Sequence, residues 1–156
     1  MTDNAIKETL AKVAGRVLED AAFIFTDNLD ESCRPAADSW IAEGVSLDFS
    51  GQVTGELHMW AADGFARYAA ANMLGIEEDS DGARQKGMDA LKEILNMIVG
   101  NFLTEQYGQK KIFNLGLPRQ LPPDGCWQDC ERAHALWLEA EGNVIMFVIA
   151  IKDGKA

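Results

Sequence analysis

The chain has 156 residues, 25 acidic against 14 basic side chains, a net charge of −11 and 47% hydrophobic residues. That length and composition fit one globular domain over residues 1–156, with a core that needs no metal or disulfide staple. The acidic balance excludes nucleic acid and anionic membrane surfaces as partners, because both require clustered Lys and Arg.

The opening stretch, MTDNAIKETLAKVAGRVLED, lacks a basic segment followed by an apolar run and so reads as helix rather than leader. A cap at Thr2 or Asp3 starts this helix, and the stripe Ile6, Leu10, Val13, Val17 and Ala21 carries it to about Phe25. TDNLDESCRP is an acidic loop. Two strands are expected at Trp40–Phe49 and Gln52–Ala61, joined as a hairpin through Ser50 and Gly51. Asp63 starts a short helix, DGFARYAAANML, which Gly75 closes. After the acidic connector IEEDSDG, a long helix is expected from about Ala83 to Tyr107, stopped by Gly108.

KKIFNLGLPRQ then looks extended and PPDGCWQDC irregular. The last strands are expected at Arg132–Glu141 and Asn143–Lys152, turning at Glu141-Gly142-Asn143. The longest apolar run, Val144 to Ile151, is too short to cross a membrane and suits a buried strand. The predicted class is α+β, an antiparallel sheet with two long helices packed on it. Three cysteines, an odd number, fit free thiols in a reducing compartment, which makes the expected location cytoplasmic.

The long helix carries the chemistry. At 100° per residue, with Asp89 at zero, Glu93 falls at about 40°, Asn96 at about 340° and Gly100 at about 20°. Leu91, Leu95, Ile98 and Phe102 lie opposite, so the three polar side chains project together over roughly 10 Å of axis. Met97, Leu103 and Tyr107 flank that line and look apolar for an exposed face. Solvated polar residues on an amphipathic helix are ordinary. Asn in mid-helix and a glycine on the same stripe are not, because each weakens the helix.

Asp89-x3-Glu93-x2-Asn96, followed after twenty-one intervening residues by Pro118, resembles the motif of the CheC/CheX/FliY chemotaxis phosphatases. EILNMIVGNF and FNLGLPRQ are similar to that family as well. The resemblance covers Lys86 to Arg119 and implies a CheC/CheX-like fold. It also implies hydrolysis of the aspartyl-phosphate on a CheY-like response-regulator receiver domain. In that reading Asn96 orients the attacking water and Glu93 holds a receiver lysine, while Asp89, Gly100 and Pro118 serve docking. The chain then needs no metal of its own, since Mg²⁺ belongs to the receiver. The first helix offers only Glu8-x2-Ala11 and Glu19-x2-Ala22, so the chain resembles the single-motif CheX type, whose members are homodimers. The alternative is a non-catalytic module that docks a receiver or another partner through the same helix face.

Other candidates are weaker. Cys126, Cys130 and His134, with Asp129 between them, have the wrong spacing for a zinc knuckle. Cys33 sits in an acidic loop and reads as a poor nucleophile. His58 lacks a Ser or Cys partner in the sequence. Trp40, Trp60, Trp127 and Trp137 are expected to be core or interface residues. No phosphate-cradling glycine loop and no G-x-S-x-G is present.

Overall fold

In the computed structural model, residues 3–35, 40–122 and 134–153 are described. Helix α1, Asp3–Ala22, buries Ile6, Leu10, Val13, Val17 and Leu18 at helical spacing. It ends three residues before the expected Phe25. Phe23 turns left-handed (φ 56°), its N–H reaches the Glu19 carbonyl, and the Ile24 N–H returns to the Leu18 carbonyl. Ile24 re-enters the core, Phe23 and Phe25 stay exposed, and Asn72 Nδ2 donates to the Ala22 carbonyl at 2.9 Å. TDNLDESCRP is not all loop: it opens with strand β1, Thr26–Asn28, and holds a 3₁₀ turn at Glu31–Cys33. Pairing with a strand more than 100 residues away creates β1, which no local pattern announces.

Strands β2 (Ile41–Ser50) and β3 (Val53–Ala62) form the expected hairpin, with Phe49 facing Gly55 and Leu47 facing Leu57. Helix α2, Phe65–Leu74, runs between Gly64 and Gly75, both with positive φ. Helix α3, Asp81–Tyr107, follows. Two short edge strands come next, β4 (Asn114–Leu115) and β5 (Arg119–Leu121), and both pair with β2. The hairpin of β6 (His134–Ala140) and β7 (Asn143–Asp153) completes the sheet. Its turn places Glu141 and Gly142 at positive φ, the twist a two-residue hairpin favours. All pairings are antiparallel, in the order β1-β6-β7-β3-β2-β4, with β5 beside β2.

Alternation along the strands sorts two cores. Leu57, Met59, Phe147 and Ile149 pack with α1, α2 and α3 in the larger cluster. Trp60, Met146, Val148 and Trp137 lie on the opposite face in a smaller cluster with Ile41, and Trp40 tilts against Trp137 at 5.5 Å. Thus three of the four tryptophans pack in or against a core, and Trp127 lies outside the described residues. No helix among the described residues is long and apolar enough to cross a membrane.

Candidate functional site

The start of α3 is set locally. Ser80 Oγ accepts the Ala83 N–H at 3.2 Å and donates to the Glu77 carbonyl at 2.6 Å, while Asp81 places a carboxylate in the first turn. Leu91, Leu95, Ile98 and Phe102 are buried against the rest of the core, as their spacing predicts. Gly87 lets α2 come close, since a Cβ there would sit 3.2 Å from the Ala66 Cβ and 3.3 Å from its carbonyl carbon.

That packing turns Asp89, Glu93 and Asn96 outward. All three are exposed, and none makes a hydrogen bond or ion pair among the described residues. Gly100, one turn further, is half-exposed, and a Cβ there would meet no heavy atom within 4 Å. The apolar residues flanking the line are less open than their positions suggested. Leu103 is buried, and Met97 and Tyr107 pack against the larger core. Tyr107 lies 5.5 Å from Phe113, whose own ring is 6.4 Å from Phe49. Residues far along the chain cover them, which a helical wheel cannot register.

The segment after α3 returns beside it. Gly100, Leu103 and Thr104 face Lys111–Leu115 across an open cleft of about 300 Å³. Further on, Gln120 shares a second cleft, about 400 Å³, with Arg84, Gly87 and Met88. The segment therefore runs antiparallel to the helix, and Pro118 falls in the stretch between the two clefts. Pro118 is half-exposed at a break in an edge strand, the place where a missing N–H costs least. Phe49 faces Leu115 but Ser46 faces Arg119, so three steps on β2 match four outside it. The Gly116 N–H donates to the Asp48 carbonyl at 2.8 Å, and Arg119 lies 3.8 Å from both Asp48 and Glu56.

Sequence reasoning did not single out the two clefts. The second also takes in Glu43, Asp63 and Arg67. Burial, and secondly the charge of Asp63, raises the Glu43 carboxyl above its ordinary value. The scattered positions of these residues left no motif to find. Cys33 is an exposed free thiol, while Cys126, Asp129, Cys130 and the side chain of His134 lie outside the described residues. His58 Nε2 lies 3.4 Å from a Glu56 carboxylate oxygen and its ring 6.3 Å from that of Trp60. No group of three or more His, Cys, Asp or Glu among the described residues is placed to hold a metal ion.

The profile of the family described as chemotaxis phosphatase CheX matches residues 44–136, more than half of the chain. The chain belongs to the CheX family. The matched span contains α3 with its polar line and the segment carrying Pro118. Among solved structures, the chemotaxis protein CheX of Vibrio vulnificus superposes with a TM-score of 0.75 at 17% identity, over 95% of this chain and 99% of that one. CheX of Borrelia burgdorferi, in a complex with CheY, BeF3 and Mg²⁺, gives 0.69 at 20% identity, over 93% and 96%. FliY of Thermotoga maritima gives 0.57 at 15% identity, over 95% and 89%. These likenesses are of fold, and they agree with the α+β, CheC/CheX-like architecture expected from the sequence. No curated protein matches the chain.

Proposed function

We propose that this CheX-family protein hydrolyses the aspartyl-phosphate of a CheY-like receiver domain, with Asn96 and Glu93 as the working pair. The observation that carries the reading is the exposed, unbonded line Asp89, Glu93, Asn96 on a helix whose opposite face is buried in the core. Side chains fixed at one end and free at the other suit insertion into a partner's site.

Hydrolysis moves the phosphoryl group from an aspartate oxygen to water, giving the free carboxylate and inorganic phosphate. The transition state is loose, so positioning and charge stabilisation do most of the work. The Asn96 amide donates and accepts at once and can hold a water in line without adding negative charge. Glu93, about one turn away, pairs with a receiver lysine and fixes the approach. Asp89, Gly100 and Pro118 contribute to docking. Mg²⁺ belongs to the substrate receiver, and the chain supplies no cofactor. One well-placed polar group contributes on the order of 10²–10³ in rate. The same reading makes the protein a cytoplasmic homodimer presenting one such line per protomer.

The test is the decay of a phosphorylated CheY-type receiver with Mg²⁺, alone and with the protein added. Faster decay with the wild type that Asn96→Ala removes, while binding persists, is the expected result. Binding with unchanged decay would overturn catalysis in favour of a docking module.

A further inference from the structure

Beside the polar line the chain exposes apolar side chains that a solitary acidic protein has no use for. Ile112 is 85% exposed and Leu117 is 90% exposed, with Leu115 also at the surface between them. They lie on the segment that returns along α3, Ile112 at the Gly100 cleft and Leu117 next to Pro118. Lys110 and Lys111 adjoin them, both exposed and neither paired with a carboxylate among the described residues. The net charge is −11, so two adjacent free cations next to exposed Ile and Leu form a local exception. Such a surface fits an acidic partner with an apolar patch.

The segment is held well enough to present these groups. Phe113 tilts against Tyr107, the Gly116 N–H bonds the Asp48 carbonyl, and Arg119 sits between Asp48 and Glu56. Next to those anchors, Ile112 just before Phe113 and Leu117 between Gly116 and Arg119 are exposed and belong to neither core cluster. Gly100 leaves open the cleft joining this segment to the line of Asn96.

We propose that Lys110–Leu117 is a docking lip for the phosphorylated receiver, with Ile112 and Leu117 gripping its apolar surface and Lys110 and Lys111 meeting its acidic one. This rests on the reading that the partner is a receiver domain. A receiver bearing a phosphoryl group and the carboxylates that hold Mg²⁺ has the complementary charge. The lip then determines affinity and partner choice, whereas Asn96 determines the chemical step.

The experiment measures affinity for a labelled CheY-type receiver loaded with BeF3 and Mg²⁺, and turnover of the phosphorylated form, in the same variants. Ile112 and Leu117 are in solvent, so Ile112→Asp and Leu117→Asp should keep the thermal midpoint. Each is expected to weaken binding tenfold or more, with the loss falling on KM more than on kcat. Lys110→Glu with Lys111→Glu is expected to slow association and flatten its salt dependence. Unchanged affinity in all these variants would overturn the lip, whatever the activity. Wild-type protein that fails to bind the receiver would overturn it too. Wild-type binding without hydrolysis, still lost in Leu117→Asp, would retain the lip and remove only the phosphatase reading. A mass halved by Leu117→Asp in light scattering, with receiver affinity intact, would make the segment a contact between copies and overturn the proposal.

Discussion

Gly100 lies one helical turn beyond Asn96 on the exposed side of α3, and a methyl group there would touch nothing within the protein. The fold therefore gives no reason for the glycine, which costs about 0.8–1 kcal/mol against alanine in a helix interior. Gly100→Ala should raise stability by about that amount in chemical denaturation. It should also weaken receiver binding several-fold. A variant that gains stability and keeps full affinity would mean that no partner needs the space.

Asn96 is exposed and makes no bond among the described residues, so Asn96→Ala should not lower the thermal midpoint and should raise it slightly, alanine being the better helix former. Asn96→Ala should slow receiver dephosphorylation about 10²-fold through loss of one positioned polar group. Asn96→Asp should be slower still, because a carboxylate is repelled by the phosphoryl oxygens. Single-turnover decay rates for the two variants check the order. An aspartate variant faster than the alanine one would point to general-base chemistry instead.

Ser80 caps α3 with its hydroxyl on the Ala83 N–H. Ser80→Ala should cost about 1 kcal/mol of stability. Asn96 stands more than four turns further along, so activity should stay within about twofold once the protein is folded. Amide exchange should quicken in the first turn of α3 and not around Asn96.

Glu43 carries a pH signature. Burial first, and Asp63 second, raise its carboxyl in the folded protein above the ordinary 4.5. The folded state thus holds the proton more tightly than the unfolded chain, and ionisation at neutral pH opposes folding. The stability available with Glu43 protonated is complete below 4.5 and is lost as pH rises through the raised folded value. Glu43→Gln should therefore be more stable than wild type at pH 7. The gap should close as pH falls below 4.5, which denaturation curves across pH can follow.

Local chemistry determined the elements and the line of candidate residues. Apolar spacing on α3, Ser80 before it and Gly108 after it define that helix within a few residues, and they set Asp89, Glu93 and Asn96 on one outward stripe. Gly75 closes α2 and Glu141-Gly142 turns the last hairpin for equally local reasons of φ. The four-point spacing through Pro118 was also in the sequence, and it pointed to the family that the profile match shows.

Tertiary structure alone decided what depends on distant partners. Strand β1 exists because Thr26–Asn28 meets Leu138–Ala140, and α1 stops early because Phe23 turns left-handed and Ile24 enters the core. Leu103 and Tyr107 read as exposed until Lys111–Leu115 and Phe113 are laid against them. The break between β4 and β5, and with it the place of Pro118 outside the ladder, follows from pairing to β2. Periodicity reports which side of an element is apolar. It carries no information about which segment will cover that side, because burial is settled between residues that the chain separates and the fold brings together.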